Sequence, residues 1–185
     1  MNQMTRIAAA PESFKARIST AEFLRMLEAD VFGDARVELI NGELERVPPP
    51  GNMHGLVQMD ILGQLLALFG ASRVRAEQAI DLGDDTLLGC DGVVLREPCR
   101  ERRMLKPADL LLVIEVADMT LGRDKGTKRL QYAAAGVPNY WVADERHAVV
   151  HIHAEPTDGD YVQVQTVAFG QPMTIPGEVG SVTLS

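Results

Sequence analysis

Two acidic residues stand beside apolar runs that are typical of buried β-strands. Glu115 directly follows the apolar run LLLVI at 110–114. Asp91 lies just before a second apolar run, VVL at 93–95. An ionised carboxylate in such a strand needs a metal ion or a cationic partner, because burying it alone costs several kcal/mol. Two acids on neighbouring strands are a usual site for Mg²⁺, although Glu115 taken alone is better explained by solvation or an arginine partner.

Two further charged residues can join this pair. Lys128 lies on the helix predicted after the Glu115 strand, and a helix packed on the sheet would turn it towards that carboxylate. A lysine beside two acids and a metal ion can hold an attacking water or neutralise developing negative charge. Glu38, in the alternating strand RVELI, would complete the surroundings of the metal ion. Each residue by itself also fits an ordinary surface position.

Three histidines offer a different chemistry. His147, His151 and His153 share one parity along a predicted strand, so their side chains could face the same side and bind zinc. Exposed histidines on a terminal hairpin are the commoner explanation of this pattern. The zinc site is therefore the weaker alternative.

The predicted elements that must position these residues follow the order αββαβββαβββ. Ser19 with Glu22 forms a capping box, Asn41-Gly42 is a hairpin signal, and Gly136 ends the last helix. Helices are predicted near 20–28, 52–69 and 124–135. Strands are predicted near 36–40, 43–47, 74–80, 91–95, 110–114, 139–144, 148–153 and 161–169, with a turn-rich segment at 81–89. This mixture predicts an α/β fold with helices around a mixed sheet.

The second helix has an apolar stripe that we expect to face the sheet. Its members recur at steps of three and four residues: Leu56, Met59, Leu62, Leu65, Leu66 and Phe69.

Composition places the chain among ordinary globular proteins. It has 185 residues, of which 46% are hydrophobic and 24% charged, so we expect one domain over 1–185. The longest apolar runs are five residues, whereas crossing a membrane takes roughly 20. No secretory signal is visible, and Cys90 and Cys99 form no CxxC pair or disulfide framework. We therefore expect a cytoplasmic protein with no membrane partner.

The charge distribution bears on nucleic-acid binding. A formal net charge of −8 argues against tight non-specific coating of nucleic acid. Basic residues nevertheless concentrate at 96–106 and 123–129, where they form either phosphate-binding strips or solvated faces. The candidate substrate contacts are His54, Arg102, Arg103 and Gln131.

Several segments together resemble a known family. The ordered set VELINGELERVPPPGNMH, CDGVVL, DLLLVIEVA and DKGTKRLQYAAAGVPNYWVAD is similar to that of the Uma-type, restriction-endonuclease-like proteins of the PD-(D/E)XK nuclease superfamily. The resemblance covers about 37–153, and KRLQYAAAGVPNYWVAD is its most specific part. It implies a restriction-endonuclease-like mixed sheet flanked by helices and a Mg²⁺-dependent DNA endonuclease.

The resemblance also implies roles for single residues. The family's PD aspartate falls on Asp91 and its strand glutamate on Glu115. Its remaining site residues fall on Glu38, on His54 and, shifted to the following helix, on Lys128.

The leading hypothesis is thus a metal-dependent phosphodiesterase acting on DNA. Asp91, Glu115 and the backbone carbonyl of Val116 would hold Mg²⁺ or Mn²⁺, Lys128 would orient the attacking water, and Glu38 would act through a second metal or a water. The alternative is a non-catalytic binding or assembly module with the same fold, which the net charge and the absence of a DNA-reading motif favour. A homodimer is compatible with either function.

Overall fold

The structure, a computed structural model, describes residues 16–175, 178 and 180–185. The helices are α1 (Thr20–Glu28), α2 (Asn52–Phe69), α3 (Leu121–Arg123) and α4 (Arg129–Ala134). A π-helical turn, Asp124–Lys128, joins α3 to α4, and a 3₁₀ turn spans Pro107–Asp109. The strands are β1 (Val37–Ile40), β2 (Glu43–Arg46), β3 (Val74–Gly83), β4 (Thr86–Leu95), β5 (Leu110–Ala117), β6 (Asn139–Asp144), β7 (Val149–Thr157) and β8 (Asp160–Ala168).

All eight strands belong to one mixed sheet with the order β2-β1-β4-β5-β6-β7-β8, and β3 pairs with β4. The described strand pairs are antiparallel except β5 and β6, which run parallel and are connected by α3, the π-helical turn and α4. Helix α2 packs on one face of the sheet with Trp141, and α4 packs on the other face with Tyr140. The expected mixed sheet flanked by helices is therefore confirmed.

Local sequence signals explain several element ends. At the start of α1, the Ser19 N–H donates to Glu22 Oε2 at 2.8 Å and the Glu22 N–H donates to Ser19 Oγ at 3.3 Å, which is the predicted capping box. Between β1 and β2, Asn41 and Gly42 have φ values of 49° and 74°, and a tight hairpin turn requires both to be positive.

The predicted turn-rich segment 81–89 is shorter than expected. Residues 81–83 belong to β3 and 86–89 to β4, which leaves only Asp84 and Asp85 to form the turn. Leu87 and Leu88 are buried, at 4% and 0% exposure, and both pair with β3. Burial of these leucines in the sheet thus outweighs the local preference of the glycines and aspartates for turns.

Helix α2 has the predicted bounds, but only half of the predicted stripe, Leu62, Leu65 and Phe69, packs against the core. Leu56, Met59 and Leu66, which belong to the predicted stripe, are 57%, 70% and 41% exposed. The helix is apolar on nearly every side, so its periodicity alone cannot select the buried face. Its buried residues are Val57, Ile61, Leu62 and Leu65.

No helix formed by the described residues is long and apolar enough to cross a membrane. Cys90 and Cys99 are free thiols, which agrees with the absence of a disulfide framework. Residues 1–15 lie outside the described part of the chain, so one domain over 1–185 stays a prediction.

A buried aromatic cluster lies between α4 and the sheet. The rings of Tyr132 and Tyr140 are 5.1 Å apart, and His153 packs 5.9 Å from Tyr140 and 5.8 Å from Tyr161. His153 is 3% exposed, and neither ring nitrogen has a hydrogen-bond partner among the described residues. Burial, with the nearby charge of Arg129, lowers the pKa of His153 to about 4, so the ring is neutral in the folded protein at pH 7.

We expect His153 to make the fold sensitive to acid. Between pH 6.5 and about 4 the unfolded chain protonates this ring while the folded chain does not, so stability falls as the pH falls, by up to about 3 kcal/mol. His153→Phe keeps an aromatic ring but removes the titration. Urea unfolding at pH 7 and pH 4.5 should show a smaller loss of stability in the variant, and equal losses would contradict this assignment.

Candidate active site

The candidate site lies where β4 changes its partner strand. One end of β4 pairs with β1, through Leu87 opposite Leu39, and the other end pairs with β5 over 92–95. Between these two pairings, β1 and β5 leave a gap along the same side of β4. Backbone groups that face this gap must find side-chain partners, because unpaired buried N–H and C=O groups are costly.

Charged side chains supply these partners. The Gly89 N–H donates to Glu38 Oε1 at 3.1 Å, and the Gly89 carbonyl accepts a hydrogen bond from Lys128 Nζ at 2.8 Å. The Val116 N–H donates to Asp91 Oδ2 at 2.6 Å. A Cβ atom at Gly89 would lie 3.1 Å from Glu38 Oε1, so glycine lets that carboxylate approach the strand. The gap therefore gathers three of the residues that the sequence predicts for the site.

Lys128 is the centre of this arrangement. Its side chain is 5% exposed, and its Nζ donates to Glu115 Oε1 at 2.9 Å and lies 3.2 Å from Glu38 Oε1. The Tyr132 hydroxyl lies 3.4 Å from the same Glu115 oxygen. The predicted proximity of the lysine and the strand glutamate is thus present in the structure.

The π-helical turn brings two further charged residues to the site. Arg123, directly before the turn, forms an ion pair with Glu38, and its Nε lies 3.7 Å from Glu45 Oε2. Asp124 is 3% exposed, and its backbone carbonyl accepts a hydrogen bond from the Tyr140 hydroxyl at 2.9 Å. Sequence reasoning placed Arg123 only in a basic strip and missed Asp124. The four-residue spacing of Asp124 and Lys128 on one helix face was the available signal.

His54 reaches the site from the first turn of α2. Its Nε2 lies 3.3 Å from Asp91 Oδ1, and both side chains are 12% exposed. The contact with the Asp91 carboxylate raises the pKa of His54. Together with the proline run at 48–50, His54 lines an open cleft that also contains Asp91 and Glu115.

Carboxylates outnumber cations in this cleft. Burial raises the pKa of Glu115 well above its usual range, opposed by the Lys128 charge and reinforced by the Asp91 carboxylate. Burial also raises the pKa of Asp124. An excess of negative charge in a largely buried site favours binding of a cation. The carboxylates are Glu38, Asp91, Glu115, Asp118 and Asp124, and the cations are Arg36, Arg123 and Lys128.

The donor atoms suit a hard divalent ion. Asp91 and Glu115 provide carboxylate oxygens, and Val116 can provide its carbonyl. In a strand the N–H and C=O of one residue point to the same side, and the Val116 N–H points into the gap towards Asp91. Among the described residues no three His, Cys, Asp or Glu side chains are placed to hold a metal. Mg²⁺ binds through one or two carboxylates and keeps several waters, so this donor set fits it.

The other predicted substrate contacts lie away from the cleft. Arg103 Nη1 lies 2.7 Å from Asp109 Oδ2, beside the end of β5 opposite to Glu115, and Arg102 is exposed nearby. Asp109 and Glu115 are six residues apart along the strand, which corresponds to roughly 20 Å. The exposed Gln131 amide donates to Asn41 Oδ1 at 3.1 Å. These three side chains are not part of the charge cluster.

The three histidines do not form a zinc site. His147 lies in the turn before β7, with its Nδ1 2.8 Å from Asp144 Oδ2, so strand parity does not apply to it. His151 Nε2 lies 3.2 Å from Lys125 Nζ, and His153 belongs to the aromatic cluster. His147 and His151 both approach Asp144 Oδ2, at 2.8 Å and 3.7 Å, but no group of three metal ligands exists in the described ranges.

Comparison with known proteins identifies the family. A family model, Uma2, described as "Putative restriction endonuclease", matches residues 20–185. The chain belongs to the Uma2 family. The Uma2 match begins at Thr20, the first residue of α1, and therefore includes every helix and strand described above. The family resemblance drawn from the sequence segments is confirmed.

A solved structure supports the fold assignment. The Uma2-family chain is similar to a "putative nuclease belonging to DUF820" from Anabaena variabilis, with a TM-score of 0.63 and 20% identity over 84% of this chain and 86% of that chain. At this identity the similarity shows a shared fold. No curated protein gives a significant match.

We expect Lys128 to be essential for stability. Lys128→Met leaves the carboxylates of Glu38 and Glu115 buried without their shared cation, which should cost about 3–5 kcal/mol at pH 7. Glu115→Gln combined with Lys128→Met should cost less than the two single changes added together. Urea unfolding of the four proteins measures this coupling.

Lys125→Met is the matched control, because Lys125 lies on the same π-helical turn but is only half-buried. Its effect should be much smaller. Additive effects of Glu115→Gln and Lys128→Met would show that the two side chains do not depend on each other.

Proposed function

We propose that this Uma2-family protein is a metal-dependent nuclease that hydrolyses phosphodiester bonds in DNA. The observation that carries the proposal is the cluster of buried carboxylates around Lys128 at the gap in the sheet. Such a cluster is expensive to bury and contributes no apolar packing, so its presence is best explained by a chemical role. Membership of a family described as "Putative restriction endonuclease" agrees with this interpretation.

Asp91, Glu115 and the Val116 carbonyl would hold Mg²⁺ or Mn²⁺. When bound, the ion would lower the pKa of a coordinated water and polarise the scissile phosphate. Asp91 is held for this role by the Val116 N–H, and Glu115 by Lys128. Both carboxylates are thus oriented before any ligand arrives, which reduces the cost of binding.

Lys128 and Glu38 would have complementary roles. The Lys128 ammonium is fixed next to Glu115, where it can donate to the attacking water or to a phosphate oxygen as negative charge develops. Glu38 contacts both Lys128 and Arg123. These contacts support a positioning role for Glu38, in place of action through a second metal.

The residues that line the cleft are better placed to contact phosphates than Arg102 and Arg103. Arg36, His54 and Arg123 line the cleft and can donate to backbone phosphates next to the scissile bond. Arg102 and Arg103 lie at the other end of β5. They would reach only phosphates roughly 20 Å away, which is about six base pairs along a duplex.

A non-catalytic binding module is the second candidate. Lys128 already has three oxygen partners within the protein, as a purely structural lysine would. The net charge of −8 also disfavours tight binding of nucleic acid. Measurements of metal binding and of cleavage distinguish the two functions.

We expect Mg²⁺ or Mn²⁺ to raise the melting temperature. A ligand that binds only the folded state stabilises it by mass action, by about 2.7 kcal/mol at a concentration 100 times its Kd. Glu115→Gln should remove the increase. His151→Gln, which replaces a histidine outside the cleft, should keep it. An equal increase in the Glu115→Gln protein would place the ion elsewhere.

We expect the wild-type protein to cleave DNA only when Mg²⁺ or Mn²⁺ is present. Plasmid, single-stranded DNA and RNA should be incubated in parallel. Asp91→Asn and Glu115→Gln should reduce cleavage by at least about 100-fold, since each removes a charged donor from the metal site. Glu97→Gln changes an exposed carboxylate at the end of β4 and should retain full activity.

Three outcomes separate the hypotheses. Cleavage that survives Asp91→Asn would overturn the site assignment. Cleavage of RNA alone would overturn the DNA substrate. A protein that gains stability from the metal but cleaves none of the three nucleic acids would favour the binding module.

A further inference from the structure

The backbone of Asp91 is held by a glutamine side chain of α2. Gln58 Nε2 donates to the Asp91 carbonyl oxygen at 2.9 Å and to Glu77 Oε1 at 2.9 Å, so both of its amide hydrogens have acceptors. Glu77 Oε2 in turn accepts a hydrogen bond from Arg36 Nη2 at 2.8 Å. The side chains of Arg36, Glu77 and Gln58 therefore form a chain of hydrogen bonds, called here the Gln58 clamp, that ends on the backbone of Asp91.

Helix α2 contacts Asp91 at two points. His54 and Gln58 are four residues apart and lie on the same face of the helix. His54 Nε2 lies 3.3 Å from one oxygen of the Asp91 carboxylate, and Gln58 contacts the backbone carbonyl. The Val116 N–H donates to the other carboxylate oxygen from β5. Asp91 is thus held at both side-chain oxygens and at the main chain, which restricts where its carboxylate can point.

The backbone of Glu77 is strained where it faces Asp91. Ala76 of β3 pairs with Gly92 of β4. The next residue of β3, Glu77, therefore lies directly across from Asp91. Glu77 has a φ of 51°, in the left-handed region that a residue with a long side chain rarely adopts. Such strain persists only where surrounding contacts hold it, and it is concentrated at functional sites.

Stability alone does not explain the Gln58 clamp. The side chains of Arg36 and Glu77 are 48% and 47% exposed, and an ion pair so exposed stabilises a fold only slightly. The positive φ of Glu77 opposes folding. A contact that strains the backbone and adds little stability is best explained by the orientation that it gives to Asp91.

We propose that Gln58 and Glu77 are positioning residues for Asp91, which hold its carboxylate in the geometry that a divalent ion requires. This inference rests on the proposed metal site and adds two residues that do not touch the ion. Residues that orient a metal ligand typically change metal affinity by about 10- to 100-fold when they are replaced.

The choice of metal ion gives this orientation a measurable signature. Mg²⁺ requires nearly ideal octahedral geometry, whereas Ca²⁺ accepts about six to eight oxygens in flexible arrangements. A loosened Asp91 carboxylate should therefore weaken the binding of Mg²⁺ more than the binding of Ca²⁺. A substitution that merely destabilised the fold would lower both affinities alike.

Calorimetric titration of the full chain with Mg²⁺ and, separately, with Ca²⁺ tests the proposal. Gln58→Leu and Glu77→Gly should each weaken Mg²⁺ binding by at least about 10-fold and Ca²⁺ binding by clearly less. Glycine adopts a φ of 51° without strain, so Glu77→Gly should keep the metal-free melting temperature close to that of the wild type. Should Gln58→Leu fail to fold, the Glu77→Gly protein decides the test by itself.

Two matched control variants should leave both affinities unchanged. Glu155→Gly replaces a glutamate of β7 that has a similar φ of 57° and also accepts a hydrogen bond from a glutamine amide. Strand β7 lies three strands away from β4 in the sheet. Gln64→Leu replaces a second glutamine of α2, whose amide donates to the Thr183 carbonyl.

The outcomes separate the Gln58 clamp from the metal site. A wild-type protein that binds neither ion overturns both together. Wild-type Mg²⁺ affinity in the Glu77→Gly protein overturns the clamp and leaves the metal site in place. Equal losses for Mg²⁺ and Ca²⁺, or the same losses in the control variants, would assign the effect to the fold and would also overturn the clamp.

Discussion

The buried ammonium of Lys128 holds the centre of this protein together. It forms ion pairs with Glu38 and Glu115 and donates to the Gly89 carbonyl on the side of β4 where β1 and β5 leave a gap. Without this cation, Glu115 and the Gly89 oxygen would lose their charged partner in a region that water barely reaches, and Glu38 would keep Arg123 as its charged partner. Stability and the proposed chemistry therefore rest on the same side chain.

The gap in the sheet links the fold to the cleft. A continuous sheet would satisfy the Gly89 and Val116 backbone groups strand to strand, and no polar side chain would be drawn inside. Because β1 and β5 meet β4 at different places, Glu38 and Asp91 take over those hydrogen bonds. The acidic groups are thereby fixed by the backbone that they complete, as the binding of a metal ion or a phosphate would require.

Helix α2 connects this cleft to the outer surface. Its first turn brings His54 to Asp91, its inner face closes the core over the sheet, and its outer face leaves Leu56 and Met59 exposed. One apolar segment thus serves both the cleft and the core.

Local signals in the sequence determined most element bounds: the Ser19–Glu22 capping box, the Asn41-Gly42 turn and the apolar run before Glu115. The family segments also singled out acids that prove to be buried together. Only the tertiary structure decided which face of α2 is buried, that 86–89 pair with β3, that Arg123 and Asp124 join the cleft, and that Arg102 and Arg103 do not. The physical reason is the sequence separation of the interacting residues. Capping and turn formation depend on residues a few positions apart, whereas burial and charge pairing depend on segments that only folding brings together.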